Sequence, residues 1–385
     1  MELANFIQKN NITNFESLRI ILENDPYNLK IKEDNNFQTL CLIHNHDKSN
    51  FSNKIVNECN GIILDKNTLK IICYTFDKCS EETNFPNNLD TNQLFMEYSI
   101  EGSLIRLYNY DNKWILSTKR CIDANKSKWL STKNFVELFY ECLGNINLDE
   151  IINPKYCYSF IISHPENNIV SKEGIPTLYH VSTRDMNTLK EITLNIGVPV
   201  LERLSIPNDK ISELLSQSLN DINKFYEGYM FIDIHYNRWK LQKPHFKKIR
   251  GLWGNNNNKF FRYLELRNDI NLLQEYLGYF QSDKDDFLKY ESDINNFAQI
   301  ILEYYSRKHI TKIDKNVPFY FSKLIYKLHG DYFKTRIKTD HNKIMIDLLE
   351  LDPKQICFMM NKHKAECEKT IEVIEYDTKY VDMEI

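Results

Sequence analysis

Glu97-Tyr98-Ser99-Ile100-Glu101-Gly102-Ser103-Leu104 is the stretch on which the reading of this chain turns, once its neighbours are read with it. Alone, a carboxylate followed by a glycine carries no information. Around it the pattern is that of antiparallel sheet. Ser103 to Tyr110 and Trp114 to Lys119 are strand-like and flank Asp111-Asn112-Lys113, a hairpin loop. Upstream, Gly61 to Asp65 and Leu69 to Phe76 are short apolar runs joined by Lys66-Asn67-Thr68, which predicts a second hairpin. Downstream, strands are predicted at Tyr156 to Ser163, Thr177 to Ser182, Tyr229 to His235 and Trp239 to Gln242. Helices are predicted at Phe15 to Glu23, stopped by Asp25-Pro26, and at Thr132 to Leu143 and Asp209 to Lys224.

Short polar clusters punctuate these elements. In chain order they are Glu58-Cys59-Asn60-Gly61, Phe76-Asp77-Lys78, Ser99 to Leu104, Ser117-Thr118-Lys119, Phe160 to Val170, Glu227-Gly228-Tyr229-Met230 and Trp239-Lys240-Leu241-Gln242. A triphosphate requires cations, because its reaction spreads negative charge over the phosphate oxygens. Lys78, Lys119 and Lys240 supply three. Glu101 and Glu227 offer oxygen ligands to Mg²⁺ or to ribose hydroxyls. Phe160 offers a flat face to a base. Each residue alone has an ordinary reading: a solvated lysine, a core phenylalanine on a strand, a Glu-Gly turn. Only their joint order favours a nucleotide pocket.

That order resembles the covalent nucleotidyltransferases, and among them the RNA ligases of the phage RNA ligase 1 type. Ser99-Ile100-Glu101-Gly102 stands where the family carries Lys-x-Asp-Gly, whose lysine attacks the α-phosphate. Glu58-Cys59-Asn60-Gly61 resembles Glu-Cys-Arg-Gly, and Phe76-Asp77-Lys78 the lysine-ending stretch before the nucleophile. Lys119 falls where the phage type has a basic residue on the hairpin's second strand. Phe160-Ile161-Ile162-Ser163-His164-Pro165-Glu166-Asn167-Asn168-Ile169-Val170 is similar to the motif that carries the base-stacking aromatic. Glu227-Gly228-Tyr229-Met230 resembles Glu-Gly-Tyr-Val, and Lys240-Leu241-Gln242 resembles Lys-x-Lys. The matches span roughly residues 55–245. They imply an α+β nucleotidyltransferase domain, ATP-grasp-like, of antiparallel sheets and helices over residues 1–254. They imply ATP and Mg²⁺ as cofactors. Nucleotide-binding residues would be Lys78, Glu101, Gly102, Lys119, Phe160, Glu227 and Lys240, with Glu101 and Glu227 as metal ligands. Capping guanylyltransferases and DNA ligases fit less well, since they usually lack the Glu-Cys-x-Gly stretch and carry an OB-fold where this chain turns helical.

Four departures bear on activity. Ser99 replaces the nucleophilic lysine, Asn60 an arginine, Ile161 a glutamate and Gln242 a lysine. A lysine amine becomes nucleophilic when cations and desolvation lower its pKa, whereas a serine hydroxyl needs a paired base. A serine phosphoester is also a poorer leaving group than a phosphoramide. The expectation is a pseudoenzyme that binds a nucleotide or an RNA end without adenylating itself. Two alternatives stay open. One is a ligase limited to sealing pre-adenylated ends, a step that does not use the lysine. The other is a scaffold that uses the ligase fold to bind a partner.

Composition sets outer bounds. The 385 residues suit two or three domains, and the formal net charge of −4 gives no general attraction to nucleic acid. RNA contact would need a local patch. Lys240 to Arg267 is basic and mixes Lys247, Lys248, Arg250, Arg262 and Arg267 with Phe260, Phe261 and Tyr263. The competing reading is a helix that packs Phe261 and Leu264 inward and leaves its arginines to solvent. The nine cysteines are odd in number and form no CxxC pair, as expected of reduced thiols in an intracellular protein. His363 and Cys367 have the i,i+4 spacing of two ligands on a helix face, or of an ordinary exposed helix. No signal peptide is legible, and no apolar run nears the ~20 residues that span a bilayer. Heavy use of Asn, Ile and Lys suits an AT-rich genome such as that of a large DNA virus, hence the host cytoplasm. From residue 255 onward, apolar spacing of three and four predicts helices at 270–280, 284–307, 318–329, 340–350 and 353–365, an all-α C-terminal domain over 255–385.

Overall fold

The computed structural model describes residues 1–80, 94–148, 150–172, 174–205, 213, 216, 217, 221–223, 225–314 and 316–381, with side chains as far as residue 368. The helix expected at Asp209 to Lys224 falls almost wholly outside the described residues. The chain divides into two units, Met1–Arg250 and Gly251–Ile385.

The first unit is built from three antiparallel sheets. The first holds β1 (Lys30–Glu33), β2 (Leu40–His44), β3 (Asn60–Asp65) and β4 (Ile71–Cys73), in that order. Three helices accompany it: α1 (Glu2–Lys9), α2 (Phe15–Glu23) and α3 (Lys54–Glu58). All five residues of β2 are buried because both of its faces are covered. Cys41 and Ile43 pack with Leu3, Leu18 and Leu22. Leu40 and Leu42 join Ile63, Cys73, Tyr108 and Ile115.

The second sheet has the order β10-β9-β8-β6-β7, with β6 (Ser103–Tyr110), β7 (Lys113–Thr118), β8 (Tyr156–Ser163), β9 (Thr177–Asp185) and β10 (Glu191–Ile192). Asp111 and Asn112 turn the β6–β7 hairpin at φ of 52° and 57°, a left-handed pair that short polar side chains tolerate. One face of this sheet buries Leu138, Phe139 and Leu143 of α4 (Phe135–Leu143). Asn134 and Glu137 close the start of α4 with a capping box.

The third sheet runs β11 (Leu204–Ser205), β5 (Leu94–Ser99), β12 (Gly228–Asp233), β13 (Arg238–Gln242). Its register sets Ser99 opposite Gly228, and Gly228 opposite Gln242. Three separated stretches of sequence are thereby drawn into one row. The helix α5 (Pro244–Trp253) follows and carries Arg250.

The second unit is helical: α6 (Lys259–Leu266), α7 (Ile270–Tyr279), α8 (Lys284–Tyr305), α9 (Phe319–Thr335), α10 (His341–Glu350) and α11 (Pro353–Val381). Asn258, Asp269 and Asp340 accept backbone N–H groups at the starts of α6, α7 and α10. Its core is aromatic, with Phe287 stacked on Tyr276 at 5.2 Å and tilted against Tyr263 at 5.0 Å. The α+β region of antiparallel sheets and the helical C-terminal region are thus both present. Two helices run past their expected ends, α9 to Thr335 and α11 to Val381. Among the described residues no helix is long and apolar enough to cross a membrane.

Candidate functional site

The row Ser99–Gly228–Gln242 brings Glu227 to the end of β5. The Glu227 N–H donates to the Ser99 carbonyl at 2.7 Å, and the Ser99 hydroxyl donates to Glu227 Oε1 at 2.9 Å. Lys240 Nζ reaches the same oxygen, while Gln242 Nε2 donates to Oε2 at 3.2 Å. Gly228 is required here because a Cβ would run into the Leu241 carbonyl of the neighbouring strand. Ser99, Glu227 and Lys240 therefore meet in a closed, charge-balanced cluster that also takes in Gln242. Glu227 Oε1 is thus shared between the Ser99 hydroxyl and the Lys240 ammonium.

Glu101 has a different environment from the expected one. It is 2% exposed, and its oxygens accept the N–H groups of Ile169, Val170 and Ser171 at 2.9, 3.0 and 2.8 Å. Arg250 approaches Oε1 at 3.4 Å. The carboxylate ties the 169–171 turn to Gly102. Both candidate metal ligands are thus hydrogen-bonded within the protein, Glu101 to the 169–171 backbone and Glu227 to Ser99, Lys240 and Gln242. Among the described residues no group of three or more His, Cys, Asp and Glu could hold a metal ion. His363 and Cys367 do approach each other, with Nε2 and Sγ 3.6 Å apart, and Tyr320 lies beside His363 Nδ1.

Phe160 corrects a second expectation. Strand alternation turns Tyr158, Phe160 and Ile162 to the α4 side of β8, and the Phe160 ring is 0% exposed. It meets Phe139 at 5.3 Å and His180 at 5.6 Å. No face is left for a base. Ile161, on the opposite side, abuts Gly102.

The remaining lysines gather around Phe76. Lys119 follows β7, and its backbone lies so close to Gly61 that a Cβ there would stand 2.8 Å from the Lys119 carbonyl. Gly61 also has a φ of +97°. The Lys119 ammonium lies 5.6 Å from the Phe76 ring, and no carboxylate pairs with it among the described residues. Burial holds this ammonium below the ordinary lysine range; Arg106 and Lys240 act in the same direction, and Cys79 opposes them. Lys78 Nζ sits over the Phe51 ring at 3.9 Å and likewise lacks a carboxylate among the described residues. Phe76 and Lys78 line a cleft of about 970 Å³ with Phe51, Tyr74, Tyr236 and Trp239. Two arginines in its wall, Arg184 and Arg238, are both paired with Glu191, at 3.3 Å and 3.0 Å to Oε2. The segment after Lys78 runs beside β13: Ser80 donates to the Arg238 carbonyl at 3.3 Å, and Lys240 donates to that of Ser80 at 2.8 Å.

The structure thus brings Ser99, Glu227 and Lys240 together and sets Lys78 over Phe51 and Lys119 over Phe76. It sets Glu101 and Phe160 in structural roles. Sequence reasoning missed the cleft aromatics Tyr236 and Trp239 and the Arg184–Glu191–Arg238 group. Trp239 was visible within its motif; nothing in the sequence links Glu191 to arginines 7 and 47 residues away. Of the candidate RNA contacts, Lys247, Lys248 and Arg250 lie in the first unit and Arg262 and Arg267 in the second. Arg262 is engaged by the carbonyls of Gly251 and Leu252 and by Glu265, and Arg267 is half-buried.

No family model matches the chain. An immediate-early protein ICP-46 homologue of Invertebrate iridescent virus 6 is 22% identical over 311 residues, 69% of this chain and 66% of that protein. A protein of Autographa californica nuclear polyhedrosis virus, named as a bifunctional polynucleotide kinase/RNA ligase, is 26% identical over 187 residues, 43% of this chain and 26% of that protein. The chain spans less than two thirds of the length of these relatives. Among solved structures, an RNA ligase of Naegleria gruberi is 12% identical, with a TM-score of 0.31 over 41% of this chain and 52% of that one. Homologues named RNA ligase thus occur in large DNA viruses, and the chain is similar to them.

Proposed function

We propose that this RNA-ligase-like nucleotidyltransferase homologue binds a nucleotide, ATP first of all, by its phosphates beside Lys78 and Lys119, and that it does so without becoming covalently adenylated. The observation that carries this reading is Lys119, a half-buried lysine whose ammonium faces the Phe76 ring with no carboxylate at hand among the described residues. An uncompensated buried charge is costly, and a bound phosphate relieves that cost. Lys240 does not serve in the same way, since Glu227 already neutralises it. With Phe160 buried, the base is assigned to the aromatic wall of the cleft, Trp239 and Tyr236. The absence of covalent chemistry follows from Ser99, whose proton goes to a carboxylate shared with Lys240.

Thermal denaturation with and without ATP tests the binding. ATP should raise the Tm of the full chain, and Lys119→Met should abolish most of that rise. Incubation with α-labelled ATP should leave no labelled band after denaturation. No shift with ATP would remove the nucleotide reading, and a labelled band would remove the pseudoenzyme reading. The intact Glu227–Lys240 pair favours one second reading, the sealing of pre-adenylated RNA ends. Ligation of a pre-adenylated strand in the absence of ATP decides it; no product excludes it.

A further inference from the structure

The helical unit carries an aromatic surface that its own packing covers only at the edges, where Phe358, His309 and His329 meet Phe319, Tyr326 and Phe333. The inner face of α9 buries Tyr320, Phe321, Leu324, Ile325 and Leu328. On its outer face Phe319, Tyr326 and Phe333 are 67%, 58% and 57% exposed. They recur every seventh residue, close to two helical turns, so the three rings stand on one line about 10 Å apart. Lys323, also exposed, falls between the first two on the same line. Large rings standing in water in a row mark a binding surface rather than scattered exposure.

The charge around this line is one-sided. Residues 306–338 hold nine lysines and arginines against two aspartates, in a chain whose formal net charge is −4. Lys327 is tied to Asp347 and Glu350, and Arg307 to Asp314. Lys312, Lys323, Lys334, Arg336 and Lys338 are exposed, with no acidic partner among the described residues. Two cations already lean on the rings. Lys308 stands 4.4 Å from the Tyr326 ring centre and donates to its hydroxyl at 3.1 Å, and Arg336 stands 5.7 Å from Phe333. Lys308 comes from a π-helical turn, Ser306–Ile310, an irregularity often found at functional sites. Its residues interrupt the path between α8 and α9 and turn cations toward the aromatic line.

Rings that accept a flat partner, separated by cations that accept phosphate, match the chemistry of an unpaired nucleic-acid strand. A duplex hides its base faces and offers only phosphate. We propose that the outer face of α9 binds single-stranded nucleic acid, its bases on Phe319, Tyr326 and Phe333 and its phosphates on Lys308, Lys323 and Arg336. This site lies in the second unit and does not depend on the nucleotide cleft.

Fluorescence anisotropy of the full chain with a labelled 20-nucleotide oligouridylate tests it. Binding should weaken with salt, the logarithm of affinity falling by roughly 0.7 per phosphate contact for each logarithm of salt. The triple variant Phe319→Ala/Tyr326→Ala/Phe333→Ala should bind at least about tenfold more weakly with unchanged circular dichroism. Tyr326→Trp, which keeps a ring, should bind like the parent. The triple variant should keep the parent's rise in Tm with ATP, so failure of the cleft and failure of this face are told apart. No binding, equal binding by the triple variant, or equal affinity for a duplex of the same length would overturn the proposal. The last of these would leave only a charge attraction with no role for the rings.

Discussion

Two lysines a short distance apart in the first unit have opposite surroundings. Lys240 is held by Glu227, which also takes the Ser99 proton and a Gln242 amide, so that the cluster is closed on itself. Lys119 faces an aromatic ring and has no carboxylate among the described residues. A charge that is satisfied internally stabilises a fold and has little left for a ligand. A charge that is not satisfied costs the fold something and gains when an anion arrives. Ser99 belongs to the first kind of surroundings, and the Lys119 ammonium beside Phe76 to the second.

The contrast can be broken most violently at Glu191. This buried carboxylate neutralises Arg184 and Arg238 in the cleft wall. Glu191→Ala should cost about 3–5 kcal/mol of stability in chemical denaturation, because it strands two guanidinium groups. If the variant still folds, ATP should raise its Tm more than it raises that of the parent.

Glu58 offers the next largest effect. It accepts the N–H groups of Glu2 and Leu3 at 2.9 and 2.6 Å, yet burial pushes its carboxyl up to about 7, with Asp77 of the cleft wall adding to the shift. The folded carboxyl therefore binds its proton more tightly than the unfolded one. Its contribution to stability is greatest below pH about 4.5, falls as the pH rises through the interval up to about 7, and is constant above it. Urea melts between pH 5 and 8 should show that trend, and Glu58→Gln should flatten it by about 2–3 kcal/mol.

Lys119→Met sharpens the contrast directly. Removing the unpaired charge should stabilise the ligand-free chain by roughly 1 kcal/mol while abolishing the response to ATP. A loss of stability would mean that the ammonium is satisfied after all. Ser99→Ala should be the mildest, about 0.5 kcal/mol, since Glu227 keeps Lys240 and Gln242. Its ATP response should match the parent's in the same thermal assay.

What the sequence made legible follows the physics of each element. The hairpin of β6 and β7 and the strand β8 were readable because alternation and turn residues are local. β2 was not, since five consecutive buried residues carry no alternation, and α1 was lost in a polar opening stretch. The convergence of Ser99 with Glu227 and Lys240 came from motif order and not from spacing, because only sheet register joins residues 128 and 13 positions apart. Phe160 was assigned by motif resemblance, which carries no information about strand face; with Tyr158 and Ile162 it lies in the core of the second sheet. The aromatic line of α9 escaped notice because the expected helix stopped at 329, which cut Phe333 from the pattern.

The parallel contact between Ser80 and β13 has a consequence for how anything enters the cleft. Lys78 and Trp239 both line it, and the two backbone hydrogen bonds through Ser80 fasten the segment carrying Lys78 to the strand carrying Trp239. While both bonds hold, these two lining segments move as one. Amide exchange at Ser80 and Lys240 should therefore slow when a ligand fills the cleft, and report its occupancy even when the ligand itself is invisible.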